Sequence, residues 1–269
     1  MKYLVVGAGL SGYGACSLLV SQGHQVTVTD RRELNAEEKQ RFLDLGVALV
    51  DGTSATPGLD EFQTLVISPG VPPSNPIRLA AARQSIPTVS ELDLVLPEYD
   101  GKIALITGTN GKSTTCAMLY HFLWEQQIPA TLVGNIGAPP SLLAAQGQLQ
   151  GTLVVEVSSY QLASSHTLPA DFAVITNLSE DHLAYHGDMA SYLQAKLRVF
   201  EGLKRDGKGL IHQHILATFP EISKALPKSV TVFEDTFGDN IESLSFFHDR
   251  LNAAVALTAF EHLTGCDRR

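Results

Sequence analysis

One stretch in the middle of the chain restricts the possible folds more than any other feature. An apolar, strand-length run at 103–107 and a helical pattern at 113–126 are joined by a glycine-rich turn, Thr107-Gly108-Thr109-Asn110-Gly111-Lys112-Ser113-Thr114. Glycines let backbone N–H groups turn towards phosphate oxygens, and the start of the helix adds its positive end. Lys112 can reach the β- and γ-phosphates, and the Ser113 hydroxyl can ligate Mg²⁺. The motif predicts a nucleoside triphosphate site at the edge of a parallel α/β sheet.

This turn departs from the common phosphate loop in one respect. The first glycine of the pattern G-x-x-x-x-G-K would fall on Ile106. An ordinary tight turn is therefore the alternative interpretation. The strand before the turn and the helix after it favour phosphate binding.

A second glycine-rich turn follows the first predicted strand, at 3–6. It reads Gly7-Ala8-Gly9-Leu10-Ser11-Gly12, and Asp30 ends the second predicted strand. This arrangement fits the dinucleotide fingerprint, in which the acid takes ribose hydroxyls. The same turn suits any diphosphate, so a nicotinamide-dependent oxidoreductase remains an alternative at this point.

Strands alternate with helices along the whole chain, which is typical of parallel α/β sheets. The first series predicts strands at 3–6, 26–29, 47–50, 64–67 and 86–89, with helices over 12–22 and from Asn75-Pro76. The second predicts strands at 103–107, 131–133, 153–157, 172–176, 209–211 and 230–233, with helices at 113–126, 189–203 and 249–263. We expect a Rossmann-like domain over residues 1–97 and a P-loop NTPase-like parallel-sheet domain over residues 98–269.

Charge and apolar patterning exclude several classes of protein. The 269 residues include 19 Lys and Arg against 28 Asp and Glu, with no basic run, so we expect no nucleic-acid partner. The longest apolar runs are strand-length, so we expect no membrane association. Cys16, Cys116 and Cys266 are far apart and in no ligand spacing. They indicate reduced thiols, and we expect a cytoplasmic monomer.

Polar residues at other predicted strand ends are further candidates. Glu156 ends the strand at 153–157, on the edge where the phosphate loop would lie, and is either an Mg²⁺ ligand or an ordinary strand-end acid. His182 and His186 stand at i and i+4 but lack the glutamate of H-E-x-x-H, so zinc is disfavoured. Lys196, by spacing alone, is a surface lysine on a helix.

Four motifs stand in order after the GAGLSG opening: TGTNGKST, EVSSYQL, TNLSEDHLAYH and AKLR. Together they resemble the Mur ligases of peptidoglycan precursor synthesis, and the match covers nearly the whole chain. The SSYQL stretch and the loop Ser68-Pro69-Gly70-Val71 resemble the branch that adds D-glutamate. The resemblance implies an ATP- and Mg²⁺-dependent amide ligase. ATP would phosphorylate the carboxylate of UDP-N-acetylmuramoyl-L-alanine, and the amine of D-glutamate would attack the acyl phosphate.

The resemblance also implies roles for individual residues. Lys112 would hold the γ-phosphate, Ser113 and Glu156 would bind one Mg²⁺, and His182 with a carbamoylated Lys196 would bind a second metal. Lys112, His182 and Lys196 are thus the catalytic candidates. The ATP-binding candidates are Gly108, Thr109, Asn110, Gly111, Lys112, Ser113, Thr114 and Asn252. The substrate-binding candidates are Leu10, Ser11, Asp30, Arg31, Ser68, Gly70, Asn135, Gln161 and His182. With these roles, the oxidoreductase becomes a minor alternative.

The chain departs from the family pattern at three places. The family's DHLD reads Asp181-His182-Leu183-Ala184, so one acid is missing. The family's G-x-H-N-x-x-N appears in part, with Phe246 for the glycine and Asp249 for the first asparagine. The chain stops at Gly265-Cys266-Asp267-Arg268-Arg269, where the family's third, C-terminal domain would begin. We expect that domain to be absent and the chain alone to ligate poorly, which leaves a non-catalytic UDP-sugar- or nucleotide-binding fragment as an alternative.

Overall fold

The computed structural model describes residues 1–52, 58–238, 241, 244 and 246–266. These residues form two compact units. The first contains residues 1–98 together with two short segments, 138–149 and 164–166, and the second contains the rest of the described chain. Each unit is built on one parallel sheet with helices between its strands, which confirms the predicted α/β class. No helix in the described ranges is both long enough and apolar enough to cross a bilayer.

The sheet of the first unit has five parallel strands in the order β3-β2-β1-β4-β5. Its strands are β1 (Lys2–Val6), β2 (Gln25–Asp30), β3 (Ala48–Asp51), β4 (Thr64–Ile67) and β5 (Thr88–Ser90). The sheet of the second unit has six parallel strands in the order β11-β10-β9-β6-β8-β7. Its strands are β6 (Ile103–Thr107), β7 (Ala130–Gly134), β8 (Thr152–Glu156), β9 (Ala170–Ile175), β10 (Leu203–His212) and β11 (Val230–Phe233).

Ten α-helices lie in the described ranges. They are α1 (Leu10–Ser21), α2 (Ala36–Asp44), α3 (Pro76–Arg83), α4 (Lys112–Glu125), α5 (Pro140–Ala145), α6 (Ser159–Ser164), α7 (Leu183–His186), α8 (Met189–Leu197), α9 (Gln213–Thr218) and α10 (Phe247–Thr264). The predicted start of α3 is confirmed, since the Asn75 side chain accepts the Ile77 N–H at 2.9 Å and Pro76 occupies the first turn. Helix α2, which the sequence analysis does not include, begins with a capping box between Asn35 and Glu38.

Each sheet is buried on both faces, as its apolar strands require. In the first unit, Val5 and Val28 pack with Ala15 and Leu19 of α1. In the second, β6, β8 and β9 are fully buried strands, and Phe172 packs with Leu119 of α4. The central strands β1 and β6, each of which precedes a glycine-rich loop, therefore anchor these loops to a rigid core.

The prediction of a single helix over 189–203 is wrong in its extent. Helix α8 ends at Leu197, a short 3-10 turn follows at Arg198–Phe200, and Leu203 already begins β10 beside Ala170. Gly202 allows this change of direction, because a Cβ there would collide with the Leu168 carbonyl. The strand predicted at 209–211 is only the end of the longer β10.

Smaller differences concern boundaries and termini. Strands β3 and β5 begin one and two residues later than predicted, and α10 begins at Phe247 rather than near residue 249. Cys16 and Cys116 are buried and Cys266 is exposed, all as free thiols. Residues 267–269, where the sequence predicts no further element, lie outside the described residues.

Candidate functional site

The loop between β6 and α4 has the backbone of a phosphate-binding loop. Gly108 has φ +152° and Gly111 has φ +79°, conformations that other residues rarely adopt. A Cβ on Gly111 would lie 2.5 Å from Oδ1 of Asn252, so glycine is also required for space. No side chain caps the start of α4, which leaves its first N–H groups available to an anion. The glycines thus fit a nucleotide phosphate, as the sequence predicts.

Residues after β9 hold this loop in place. The Asn110 N–H donates to Oδ1 of Asn177 at 2.9 Å, and Nδ2 of Asn177 donates back to the Asn110 carbonyl at 2.9 Å. The Thr176 hydroxyl donates to the same carbonyl at 2.7 Å. Because β9 pairs directly with β6, these side chains reach the loop from the adjacent strand. The loop is therefore preorganised by its neighbour in the sheet.

Lys112 lies back along the loop. Its Nζ donates to the Thr109 carbonyl at 2.8 Å, a contact that a flexible side chain can exchange for a phosphate oxygen. The Thr109 hydroxyl accepts the Ser179 N–H at 3.0 Å and lies 3.2 Å from the Tyr192 hydroxyl. The Lys112 ammonium group thus lies next to the position where the loop would bind a phosphate.

Three predicted residues lie together at the end of β8, where Ser113 and Asn135 both contact Glu156. The Glu156 side chain is buried; Oε2 accepts from the Ser113 hydroxyl at 2.6 Å, and Oε1 accepts from Nδ2 of Asn135 at 2.8 Å. Strand β8 lies between β6 and β7, so all three residues reach the same sheet edge. The carboxylate and hydroxyl oxygens are the hard donors that Mg²⁺ prefers, and Mg²⁺ usually takes few protein ligands beside phosphates and water. These residues therefore fit Mg²⁺.

Lys196 is buried, so the interpretation as a surface lysine is wrong. It is 1% exposed; its Nζ donates to the Gly108 carbonyl at 2.8 Å and lies 4.6 Å from the centre of the Tyr192 ring. Burial, and then the positive charge of Lys112, lower the pKa of Lys196 to about 7. The amine is therefore partly neutral near pH 7, which makes it a nucleophile in an interior position.

The two histidines stand in an aromatic cluster. His182 has φ +55° and precedes α7, its ring lies 4.8 Å from that of Tyr160, and Nδ1 lies 3.2 Å from Oδ1 of Asp181. His182 and Lys196 both contact the Tyr192 ring, at 6.2 and 4.6 Å. Burial lowers the pKa of His186, whose Nε2 lies 3.0 Å from the Ser159 hydroxyl. Among the described residues no three His, Cys, Asp or Glu side chains are placed to hold a metal ion.

Gln161 has a structural role that the sequence analysis does not predict. Its side chain is almost fully buried, and Oε1 accepts from both the N–H and the hydroxyl of Ser158, at 2.9 and 3.0 Å. These bonds close the turn between β8 and α6. The side-chain oxygen of this predicted substrate contact therefore stabilises the turn.

A cavity of about 640 Å³ opens beside the phosphate loop. It includes three of the predicted ATP-binding residues at the loop, Asn110, Gly111 and Thr114, and also Asn252 of α10. The sequence analysis gives no role to several residues at this edge, and most of them lie at the end of a strand or within two residues after it, which is the signal that could have found them. They are Thr176, Asn177, His212, His214, Phe233, Asp235 and Phe247.

The glycine-rich loop of the first unit is held by the carboxylate of Asp30, which ends β2. Oδ2 of Asp30 accepts the Ala8 N–H at 2.7 Å, and Oδ1 accepts the Arg32 N–H at 2.9 Å. On the other side, the Ser68 hydroxyl donates to the Gly7 carbonyl at 3.0 Å. Gly7 has φ +102°, and a Cβ there would lie 2.7 Å from Cβ of Ser68. Asp30 and Ser68 thus shape the loop from the strands on either side of β1.

The other predicted residues of this unit lie around the same edge. Leu10 is exposed and lines a cavity of about 180 Å³ with Gly9, Arg32 and Arg41. Asp30 and Arg31 line a second cavity, of about 100 Å³. Ser11 lies in the first turn of α1, and Gly70 is exposed in the turn that follows β4. The structure therefore gathers the predicted residues at one edge of the sheet, around two small cavities.

The fold and these sites define an α/β protein of the nucleotide-binding type, with one glycine-rich loop on each sheet. A family model described as "Mur ligase middle domain" matches residues 106–261, and one described as "Mur ligase MurD-like, N-terminal domain" matches residues 1–90. The chain therefore belongs to the Mur ligase family, as its motifs predict.

Individual relatives agree with this assignment. The chain is 38% identical over 202 residues to the UDP-N-acetylmuramoylalanine–D-glutamate ligase of Lactiplantibacillus plantarum, covering 74% of this chain and 44% of that protein. It is 39% identical over 199 residues to the ligase of the same name from Enterococcus faecalis, covering 72% and 44%. The chain thus spans less than half the length of these relatives.

Two solved structures share the fold. One is the UDP-N-acetylmuramate:L-alanyl-γ-D-glutamyl-meso-diaminopimelate ligase of Neisseria meningitides, with a TM-score of 0.62 and 17% identity over 98% of this chain and 94% of that one. The other is the UDP-N-acetylmuramate-alanine ligase of Thermotoga maritima, with a TM-score of 0.53 and 18% identity over 99% and 66%. At this identity they show the fold alone.

Proposed function

We propose that this chain forms the UDP-substrate-binding and ATP-binding parts of an ATP-dependent amide ligase. The ligase adds D-glutamate to UDP-N-acetylmuramoyl-L-alanine during peptidoglycan precursor synthesis. The observation that carries the proposal is the cluster of Lys112, Ser113, Glu156 and the buried Lys196 around one phosphate loop. The names of the 38–39% identical relatives support the choice of D-glutamate.

The reaction has two steps in this proposal. An oxygen of the alanine carboxylate attacks the γ-phosphorus of ATP, and ADP leaves. The amine of D-glutamate then attacks the acyl carbon, phosphate leaves, and the new amide nitrogen loses a proton. Both steps bring anions together, so charge neutralisation is the main catalytic requirement. When bound, Mg²⁺ would supply part of that charge neutralisation.

This chain's own residues meet the requirement as follows. Lys112 leaves the Thr109 carbonyl and donates to the γ-phosphate. Ser113 and Glu156 would hold Mg²⁺, and Asn135 keeps the Glu156 carboxylate oriented through its 2.8 Å hydrogen bond. Gly108, Thr109, Asn110, Gly111 and Thr114 surround the phosphates, and Asn252 lies towards the adenine.

We propose that Lys196 is carbamoylated. Its neutral amine attacks carbon dioxide, an N–C bond forms, and the nitrogen loses a proton, which leaves an anionic carbamate. The pKa of about 7 supplies the neutral amine, and the anion matches the cationic Lys112 close by. With His182, the carbamate would hold a second metal.

The proposed substrate-binding residues lie in both units. Leu10, Ser11, Asp30, Arg31, Ser68 and Gly70 hold the uridine diphosphate, and Asn135, Gln161 and His182 contact the muramoyl-alanine part. We propose residues 1–97 as the UDP-substrate domain and residues 98–269 as the ATP domain, although 138–149 and 164–166 pack in the first unit. Because ATP and UDP-N-acetylmuramoyl-L-alanine are soluble nucleotides of the cell interior, we propose a cytoplasmic enzyme. Its state as a monomer stays a prediction.

Calorimetric titration of the chain tests the proposal. We expect UDP-N-acetylmuramoyl-L-alanine to bind more tightly than UDP-N-acetylmuramate, because both end in one carboxylate but only the alanine residue extends it to the position proposed to be phosphorylated. Equal affinity for the two would contradict the proposed substrate. An NADH fluorescence titration without any binding would remove the oxidoreductase alternative. D-glutamate-dependent phosphate release that is lost in Lys112→Ala would separate an enzyme from a non-catalytic fragment.

A further inference from the structure

The wall of the nucleotide cavity farthest from the phosphate loop carries a hydrogen-bonded histidine–aspartate pair. His212 ends β10 and is buried, with its Nε2 3.0 Å from Oδ1 of Asp235. Its Nδ1 accepts the His214 N–H at 3.2 Å. All three residues line the cavity. Neither the family motifs nor the proposed catalytic residues include this pair.

The contacts of His212 fix its ring and its tautomer. Since Nδ1 accepts a backbone N–H, the ring proton of neutral His212 lies on Nε2 and is donated to Asp235. The ring also packs edge-to-face against Phe233, with the ring centres 5.0 Å apart. Asp235 is therefore held through one carboxylate oxygen by a ring that has no freedom to turn.

The second oxygen of Asp235 is available to a ligand. The side chain is 61% exposed, and in the described part of the chain His212 is its recorded hydrogen-bonding partner. A carboxylate held in this way presents one oriented acceptor to the cavity. It suits a single N–H or O–H donor of the ligand.

The order of the strands indicates which part of the nucleotide reaches Asp235. The phosphate loop follows β6, and β9, β10 and β11 lie successively to one side of it. At about 4.8 Å per strand, the end of β11 is about 14 Å from that of β6. In ATP the base is the part farthest from the γ-phosphate. Phe247, Leu251 and Val255 line the same cavity and provide an apolar surface for a flat ring.

We propose that Asp235 determines nucleobase specificity by accepting a hydrogen bond from the C6 amine of adenine, and that His212 is its positioning residue. The inference rests on the proposed use of ATP and names the group that selects it. A purine without the C6 amine leaves the carboxylate without that donor. A 6-oxo purine places an oxygen lone pair there instead, which the carboxylate repels.

Calorimetric titration with the Mg²⁺ complexes of ATP and of purine riboside 5′-triphosphate tests this assignment, because the two differ only in the C6 amine. We expect the wild-type chain to bind ATP at least about tenfold more tightly, as for a charge-assisted hydrogen bond. Asp235→Ala should bring the two affinities together, mainly by weakening ATP. Glu234→Ala, which removes the exposed carboxylate next in sequence, should keep the wild-type ratio.

A second variant tests the positioning role. His212→Phe keeps an aromatic ring against Phe233 but removes both the donor to Asp235 and the acceptor of the His214 N–H. The preference for ATP should fall, with the affinities measured in the absence of urea and the folded fraction checked by the urea unfolding midpoint. An unchanged ratio in Asp235→Ala would overturn the inference. Equal affinities of the wild-type chain for ATP and purine riboside 5′-triphosphate would overturn it as well. The same holds if Asp235→Ala changed only the preference for ATP over 2′-deoxy-ATP, because the carboxylate would then contact the ribose. Failure of wild-type chain to bind Mg²⁺-ATP at all would overturn the proposed function as well.

Discussion

The glycine-rich loops of the two units share a backbone plan but differ in the side chains around them. Each loop joins a central parallel strand to a helix with no side-chain cap at its start. In the first unit an acid, Asp30, accepts the Ala8 N–H of the loop, and the loop contains no lysine. In the second unit the neutral amide of Asn177 holds the loop instead. Ser113 donates to the buried Glu156, and Lys112 donates to the Thr109 carbonyl within the loop.

This difference in side chains explains how the same loop backbone can serve two kinds of phosphate site. A glycine-rich turn at a helix start attracts phosphate in either unit, because the backbone supplies the N–H groups. The second unit adds a lysine within the loop, the hydrogen-bonded Ser113–Glu156 oxygen pair and the buried amine of Lys196. We therefore propose that the first loop serves recognition and the second serves phosphoryl transfer.

Lys112→Ala should give the largest effect and should be confined to one unit. We expect the affinity for Mg²⁺-ATP to fall by about 100-fold, since the variant removes a charge-assisted contact to the phosphates. The affinity for UDP-N-acetylmuramoyl-L-alanine should stay within about twofold. Both affinities are measured by calorimetry.

Lys102→Ala is the matched control for that variant. Lys102 is exposed and paired with Asp171 at 3.4 Å, so its loss removes the same charge from the same unit without touching the loop. Comparable losses of ATP affinity in both variants would indicate a general charge effect and would contradict the assigned role of Lys112.

Asp30→Ala is the corresponding change in the first unit. We expect about tenfold weaker binding of UDP-N-acetylmuramoyl-L-alanine, because the Ala8 N–H loses its acceptor and the ligand loses the acid. Mg²⁺-ATP binding should not change. Asp44→Ala, an exposed acid of α2, is the control and should bind both ligands normally. If Asp30→Ala weakened ATP instead, the division of roles between the loops would be wrong.

Each unit also contains a buried ionisable group with a shifted pKa, and the two groups predict opposite dependences of stability on pH. Burial raises the pKa of Glu91, which accepts the Ser141 N–H at 2.7 Å, to about 7. Burial and Lys112 lower the pKa of Lys196 to about 7. Glu91 therefore lowers stability as the pH rises from 4.5 to about 7, whereas the loss of stability caused by the Lys196 amine is complete below about pH 7 and disappears as the pH rises to 10.5.

Substitution of Glu91 and of Lys196 should reveal opposite slopes of unfolding free energy against pH. These are the smallest of the expected effects. Relative to wild type, Glu91→Gln should gain about 1–2 kcal/mol of unfolding free energy at pH 8 and little at pH 4. In buffer freed of carbon dioxide, where Lys196 is an unmodified amine, Lys196→Met should gain about 1–2 kcal/mol at pH 6, and the gain should vanish as the pH rises towards 10. Urea unfolding across this range is the measurement. Parallel slopes for the two variants would contradict the assigned charge states.

The sequence predicts most of the fold because its signals are local. Glycine spacing and apolar runs locate β1, β6 and their loops, and Asn75-Pro76 marks the start of α3. The misplaced end of α8 has a physical cause, since Gly202 and the pairing of Leu203 with Ala170 depend on a strand more than thirty residues earlier. Helix α2 also has a local signal in the sequence, the capping box between Asn35 and Glu38.

The site is less predictable because its chemistry depends on contacts between strands. The burial of Lys196 follows from packing under the loop at Gly108, 88 residues earlier, which helical spacing does not reveal. The capping role of Gln161 depends on the turn that Ser158 forms. The His212–Asp235 pair exists because β10 and β11 are neighbours in the sheet.

A crystal structure of the chain soaked with UDP-N-acetylmuramoyl-L-alanine and a non-hydrolysable ATP analogue tests the difference between the two loops most directly. We predict the uridine diphosphate at Gly7–Gly12 and the triphosphate at Gly108–Thr114, with Lys112 moved from the Thr109 carbonyl to the γ-phosphate. The same ligand at both loops, or either loop left empty at saturating concentration, would contradict the account.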